Sequence, residues 1–580
     1  MPARSGAAYH RADNPPSMTS SLPSVQTDSS SSSSSQKYYT MPQQQGYSQP
    51  GRGGYSNGRT APAAPLLTDD DDEDDYLYSD KGLDKHSGSC ISVRGLLNVF
   101  TLILLAMGLL ALFLGYPLVV VLSKVFDTID INPKSPQRLT TLNQRGLIDP
   151  DTPQAAMRRT SPVDGSAWHL VFSDEFEQEG RSFWPGDDPY WEAVDLWYWG
   201  TGDYEWYSPE AVNTTGGALV ISVEERETNN KNFRSGMVQS WNKVCFQGAY
   251  YEISARLPGS HDIPGLWPGL WTQGNLGRPG YGATNEGMWP YSYQGCDTGA
   301  LPNQTWVNGT GPPKALDARG LFSSGYNYEL SWLPGMRFTS CNCPGTEHPG
   351  PNRGVARSAP ELDILEAKID VAGGHGETSQ SLQMAPFDVD YYYGNSTARG
   401  DVRIWDANTR LNDYKGGAIQ EAVSALSQVP DVAYENTVGG RYVTFGVEYA
   451  PDWNENGDAY VTWYMDGRPT WTLYGQAIGP VPELDVSQRL VPTEPMFMIL
   501  NVAISESFQV PDFRRLEFPA HMYIDYVRVY QRDGQPDRVG CDPSNRPTYD
   551  YIEKNKDIYY NRNITEFDKS KIPRNRLQGC

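Results

Sequence analysis

The run Glu361-Leu-Asp363-Ile-Leu-Glu366 puts three carboxyl groups within six residues. In a β-strand successive side chains alternate, so Glu361 and Asp363 share a face and Glu366 points away. One bulged residue between Asp363 and Glu366 returns Glu366 to the shared face, and bulges are common beside active sites. Glu361 and Glu366 are then about four strand steps apart, roughly 13 Å between Cα atoms. Side chains leaning inward bring the carboxyls to about 5–6 Å, where one attacks a sugar carbon while the other protonates the leaving oxygen. Asp363 between them perturbs both by charge and hydrogen bonding and helps to split their pKa values. The bare spacing is a weak pattern, since acids on an exposed strand are usually only solvated. Here Leu362, Ile364 and Leu365 interleave with the acids. Such a strand belongs to a partly buried wall, where unpaired charge is costly unless it is used.

The elements that must hold this strand read as all-β from about Ser166 to Gln531. Short alternating runs recur at Leu219–Val223, Ala249–Leu257, Tyr442–Glu448, Ala459–Met465, Met496–Val502 and Tyr523–Tyr530, separated by Gly, Pro, Asn and Asp clusters. Asp466-Gly467 has the chemistry of a hairpin turn. One helix is expected, over Ala418–Leu426 after the Gly416-Gly417 pair. Many short strands in one block favour a sandwich or jelly roll. All 16 Trp of the 580-residue chain fall between Trp168 and Trp471, inside that block. After Gln531 a polar tail runs to Cys580, fastened by an expected Cys541–Cys580 bridge.

Ahead of the block lie three further pieces. Residues 1–94 hold a Ser run (Ser29–Ser35) and an acidic run (Asp69–Asp75) with few apolar residues, and read as a disordered, cytoplasmic tail. Residues 95–122 are uncharged and, Asn98 and Thr101 aside, almost wholly apolar. That exceeds the ~20 residues needed to span a bilayer, and it begins too far in for a signal peptide. A single transmembrane helix is expected here, with residues 123–165 as a polar stem. Cys90, just ahead of it, fits either a palmitoylation site or a free thiol. Flanking positive charge is tied across the anchor, so the sequons orient it. Asn213, Asn303, Asn308, Asn395 and Asn563 head glycosylation sequons, all after the anchor. Six of the seven cysteines also follow it, an even set suited to an oxidising lumen, with the pairing open. The expectation is a type II protein of a secretory-pathway membrane (endoplasmic reticulum, Golgi or plasma membrane) with its body lumenal or extracellular. Of the net charge of −23, −20 lies on residues 124–580. A surface this acidic excludes a general nucleic-acid binder.

Together these segments resemble a known family. Leu170-Val-Phe-Ser-Asp-Glu-Phe176, Gly248–Pro258, Gly265-Leu-Trp-Pro-Gly-Leu-Trp271, the acidic run, Val447-Glu-Tyr449, Tyr464-Met-Asp-Gly467, Ile499–Ala503 and Ile524-Asp-Tyr-Val527 occur in order over about 360 residues. They resemble the glycoside hydrolase family 16 domain, and the whole layout is similar to the fungal β-1,6-glucan synthesis-associated membrane proteins of the killer-toxin-resistance type. The resemblance implies a concanavalin-like β-jelly-roll sandwich over residues 166–535, with 536–580 as a C-terminal tail. It implies Glu361 as nucleophile, Asp363 as electrostatic helper and Glu366 as general acid/base of a retaining glycosidase or transglycosidase acting on cell-wall β-glucan. The rival reading from another class is a non-catalytic glucan-binding or scaffold protein of the glucan synthesis machinery. Simple members of family 16 join the Trp-Pro-x-x-Trp strand to the acidic strand by a short link. Here residues 272–360 intervene, an insert expected to fold over one end of the cleft. Trp241, Trp267, Trp271 and Trp289 are candidate sugar platforms, against the alternative that they are core aromatics. No metal constellation or cofactor motif stands out. Cys341-x-Cys343 has the wrong spacing for zinc, and a structural calcium on loop carboxylates is left open.

Overall fold

Short amphipathic runs can bury an apolar face only by pairing edge to edge and then stacking face to face. The computed structural model, which describes residues 93–110, 113, 146–319, 323–453 and 457–580, does this with twenty strands. In chain order they begin with β1 (Arg158–Thr160), β2 (Ala167–Asp174), β3 (Glu192–Ala193), β4 (Glu205–Tyr207), β5 (Val212–Thr214), β6 (Leu219–Thr228) and β7 (Lys231–Ser235). Next come β8 (Met237–Gln239), β9 (Tyr250–Arg256), β10 (Trp267–Gly274), β11 (Glu361–Asp370), β12 (His375–Met384), β13 (Val402–Ile404) and β14 (Thr409–Leu411). The last are β15 (Glu421–Gln428), β16 (Val443–Ala450), β17 (Tyr460–Met465), β18 (Arg468–Tyr474), β19 (Met496–Ala503) and β20 (Ala520–Arg532).

Eight strands form one sheet in the order β14-β15-β12-β11-β10-β19-β8-β3. Twelve form the other, β13-β18-β17-β16-β9-β20-β6-β7-β4, with β2 on β20, β1 on β2 and β5 on β6. Their inner faces meet in one core, where Leu270, Leu362, Ile364 and Leu365 pack with Ile253, Val447, Trp463 and Val527. This is the all-β, jelly-roll-like sandwich that the alternation predicts, and each of the six predicted runs falls on a strand to within one residue at its ends. Asp466-Gly467 joins β17 to β18 with both residues at positive φ (52° and 74°), the geometry a two-residue hairpin turn demands.

Three expectations are corrected. No helix forms over Ala418–Leu426. Glu421–Gln428 is β15, bonded to β12 on one side and β14 on the other, with Val423 and Ala425 in the core. The Gly pair closes a tight turn instead of capping a helix, the Gly417 N–H donating to Gln420 O at 2.7 Å. Two strand partners and burial on both faces outweigh a mild helical propensity. Second, the stem is docked from residue 146 onward. β1 pairs with β2, and Arg159 lies 3.5 Å above the Tyr250 ring while donating to the buried Glu448 at 2.9 Å.

Third, residues 536–580 are no loose tail. Tyr551, Ile552, Ile558, Tyr559 and Phe567 are buried against Phe497, Ile499 and Ala503 on the outer face of the eight-stranded sheet. The Cys541–Cys580 bridge is not made. Cys541 pairs with Cys245, Cys580 with Cys343 and Cys296 with Cys341, so the C-terminal segment is bound to the sandwich and to the insert separately.

At the N-terminal side, helix α1 (Val93–Leu110) leaves Phe100, Leu102 and Leu105 exposed. Among the described residues no helix is long and apolar enough to cross a membrane. The expected span at 95–122 continues beyond α1, and apart from residue 113 its remainder lies outside the described residues, as do residues 1–92 and 114–145.

Tyr559 stacks on Trp241 (centroids 5.6 Å apart) and its hydroxyl donates to Leu276 O at 2.6 Å. Tyr559→Ala is therefore expected to cost about 3–5 kcal/mol in urea unfolding. An unchanged midpoint would mean that the C-terminal segment does not brace the sandwich.

Candidate active site

The acidic strand β11 is bulged. Across to β12, Asp363 stands opposite Ser381 and Glu366 opposite Ser379, so three residue steps on β11 match two on β12. Across to β10, Trp271 opposes Asp363 and Leu270 opposes Leu365, which leaves Ile364 as the extra residue. Ile364 and Leu365 both enter the core, and Glu366 returns to the outer face beside Glu361 and Asp363. The apolar pair thus drives the bulge, and the bulge aligns the acids.

Each acid has its own partners. Asp363 is buried, and its Oδ2 accepts from Ser381 Oγ and Gln383 Nε2, both at 2.8 Å. Its backbone carbonyl accepts from the Trp463 indole at 2.8 Å. Half-buried Glu361 accepts from the Trp289 indole at 2.8 Å. Half-buried Glu366 lies 3.5 Å from Ser381 Oγ and accepts from the Trp267 indole. Ser381 has one proton, committed to Asp363 at the shorter distance.

Burial dominates the electrostatics. It pushes Glu361 well above the ordinary carboxylate range, aided by the charges of Asp363 and Glu366 and opposed by the Trp289 bond. Burial and the Asp363 charge do the same to Glu366, against Trp267, Ser381 and Lys368. Asp363, with two strong donors, is pushed up only to about 6. Three carboxyls this close cannot all be ionised, and the hydrogen bonds favour Asp363 as a charged member.

The tryptophans fall in different places. Trp289 comes from the insert, which therefore supplies a direct contact to Glu361. Part of the insert forms an apolar cluster of Tyr291, Tyr293, Leu330 and Leu333 with Ala385, Phe387 and Tyr391, just beyond the end of β12, while Leu276, Met288 and Phe338 join the C-terminal segment against β19. Trp267 is stacked on Phe508 (4.2 Å between centroids, 8° between planes), so one of its faces is taken. Trp271 is half-buried, its indole donating to Asn501 Oδ1 at 2.9 Å. Trp241 is corrected as a platform: it is buried between Tyr559 and the Arg278 guanidinium, 4.2 Å from its ring. All five sequon asparagines (Asn213, Asn303, Asn308, Asn395 and Asn563) are exposed. Among the described residues no group of three or more His, Cys, Asp and Glu is arranged to hold a metal ion.

Sequence reasoning missed the segment Trp197-Tyr198-Trp199. Tyr198 is held far above its usual pKa by burial and by the charges of Glu361, Asp203, Asp363 and Glu366, which puts its phenol beside the acid row. Trp197 and Trp199 flank it, 38% and 43% exposed, with the Lys231 ammonium over one face of the Trp197 ring. The segment is tied to the loop after β19, whose Ser505 and Ser507 hydroxyls donate to Thr201 O. Three consecutive aromatics ahead of a Gly turn were the available signal.

Residues 64–580 match the family described as Beta-glucan synthesis-associated protein SKN1/KRE6/Sbg1. The chain belongs to this family. Over 545 residues it is 38% identical to the family member KRE6 of Saccharomyces cerevisiae (strain ATCC 204508 / S288c), covering 90% of this chain and 70% of that protein. To SKN1 of the same yeast it is 43% identical over 437 residues, 75% of this chain and 52% of that protein. The catalytic domain of an endo-1,3-beta-glucanase (laminarinase) from Thermotoga petrophila RKU-1 aligns with 64% of this chain and 100% of its own, at 20% identity and a TM-score of 0.36.

Asp363 yields a stability test. Its folded pKa of about 6 lies above the unfolded value of about 3.9, so the folded state binds the proton more tightly. Stability therefore falls as pH rises between those values, and the charge is a full burden above about pH 6. Asp363→Asn, which keeps an acceptor for Ser381 and Gln383, is expected to stabilise on the order of 2 kcal/mol at neutral pH and not at all below about pH 4. Thermal melts at both pH values check this; equal effects at both would show that the carboxyl carries no raised pKa.

Proposed function

We propose that this chain is a membrane-anchored, retaining glycosidase or transglycosidase acting on β-glucan during wall assembly. The observation that carries the reading is the bulge at Ile364, which sets Glu361 and Glu366 on one face with Asp363 between them. The substrate class follows from family members named for beta-glucan synthesis.

Glu361, oriented by Trp289, attacks the anomeric carbon. Glu366 donates its proton to the departing glycosidic oxygen, which leaves a glycosyl ester on Glu361. The Glu366 carboxylate then takes a proton from the incoming hydroxyl as that oxygen displaces Glu361 from the anomeric carbon. Water as the acceptor gives hydrolysis, and a sugar hydroxyl gives transfer. Asp363 holds negative charge behind both, favouring the protonated form of Glu366. Trp197, Tyr198 and Trp199 are the side chains best placed to present aromatic and hydroxyl surface to a glucan chain beside the acids.

A second reading has its own support. All three carboxyls are pushed upward, and a site that keeps Glu361 protonated would hold glucan without turning it over, as a binding or scaffold component of the synthesis machinery. The anchor at residues 95–122, the type II orientation in a secretory-pathway membrane and glycosylation of the five exposed asparagines complete the proposal. They rest on the apolar run and on the sequons following it.

Wild type and Glu361→Gln incubated with β-1,3- and β-1,6-linked oligosaccharides separate the readings. Redistributed chain lengths in wild type, reduced about a thousandfold or more in the variant, are expected. Equal binding by both proteins with no product would leave only the scaffold reading. Endoglycosidase treatment of the protein from its native membranes is expected to increase gel mobility. An unchanged band would argue against a lumenal body.

A further inference from the structure

Behind the wall that carries Trp197, Tyr198 and Trp199, a second carboxyl pair is buried. Asp203 and Glu205 are 1% and 0% exposed. Glu205 Oε2 accepts from the Ile504 N–H at 3.0 Å, and Asp203 Oδ1 accepts from the Thr201 hydroxyl. Their remaining oxygens, Asp203 Oδ2 and Glu205 Oε1, have no donor in hydrogen-bonding geometry, although the two side chains are within reach of each other. Two bare acceptors cannot satisfy each other in a dry site, and the single proton of the Tyr207 hydroxyl can serve only one of them, whereas a proton between the two makes a strong hydrogen bond.

Three other titratable side chains surround the pair. The Lys231 ammonium lies 3.5 Å above the Trp197 ring and donates to the Asp203 backbone carbonyl at 3.2 Å, not to either carboxyl. The Tyr207 hydroxyl faces both acids, and Tyr198 feels the charges of Asp203 and of the acid row alike. A chain of bonds leads on from there. Asn501 Nδ2 donates to the Tyr207 hydroxyl at 3.1 Å, and Asn501 Oδ1 accepts from the Trp271 indole at 2.9 Å. Trp271 is the cross-strand neighbour of Asp363.

We propose that Asp203 and Glu205 share one proton and serve as a positioning pair, fixing the Trp197–Trp199 wall and, through Tyr207 and Asn501, the Trp271 indole beside the acid row. The inference rests on the catalytic reading above for its effect on turnover. Loss of the shared proton puts two charges in one buried site and loosens the wall, so turnover and stability both decline on the alkaline side. Burial pushes Asp203 up to about 6 and Glu205 well above its usual range, in keeping with a proton held at mildly acidic pH.

Glu205→Gln supplies a permanent N–H in place of that proton. In the full-length chain, kcat and Tm followed from about pH 4 to 9 are expected to show the alkaline limb shifted upward by about one pH unit, with a flatter fall in Tm. Asp203→Asn supplies the hydrogen from the other side and gives the same shift should Glu205→Gln fail to fold. Normalised profiles that superimpose on wild type, with Tm lowered equally at every pH, would reduce the pair to a structural contact and overturn the proposal. If wild type turns over no glucan, the catalytic reading fails, and the Tm profiles alone decide the pair.

Discussion

Everything at the candidate site depends on burying Ile364 and Leu365 in succession. A regular strand would put one of them outside and send Glu366 into the core, where an unpaired carboxylate costs several kcal/mol. Taking both apolar side chains inward forces one extra residue into β11, and that residue realigns the three acids. The hydrophobic core thus sets the spacing of the polar site, and a core mutation at Ile364 would disturb the acids without touching them.

The rest of the molecule braces this strand from both sides. β10 and β12 hold its register, Ser381 and Gln383 fix Asp363, and the Trp463 indole pins its backbone from the opposite sheet. The insert adds Trp289 to Glu361, and the C-terminal segment covers the neighbouring β19 face through Tyr551, Tyr559 and Phe567. These two additions to a plain two-sheet sandwich are linked by the Cys343–Cys580 bridge.

Much of this was legible in the sequence where a local rule decides the outcome. Period-two alternation marked β6, β9, β16, β17, β19 and β20, Asp466-Gly467 marked a hairpin, and the interleaving of Leu362, Ile364 and Leu365 with the acids required a bulge. Non-local partners were not legible. The Glu421–Gln428 segment reads as a mild helix until β12 and β14 are beside it. The pairing of six cysteines cannot be inferred from their spacing, and residues 536–580 look polar because only a few of their side chains, Tyr559 and Phe567 among them, reach the sandwich. The Trp197-Tyr198-Trp199 wall was missed for the same reason, since its place beside the acids is set by hydrogen bonds to a loop some 300 residues away. Trp241 shows the converse: an aromatic with the right composition for a platform is buried by a residue more than 300 positions downstream.

Double displacement on Glu361 is the central claim, and covalent trapping tests it most directly. A β-oligoglucoside carrying fluorine at C2 and an activated leaving group should form the glycosyl ester and stall there. Intact-protein mass spectrometry is expected to show one adduct, mapped by peptide analysis to Glu361 and absent from Glu361→Gln. An adduct on another residue, or none from a preparation that still turns over the unfluorinated glucan, would contradict it.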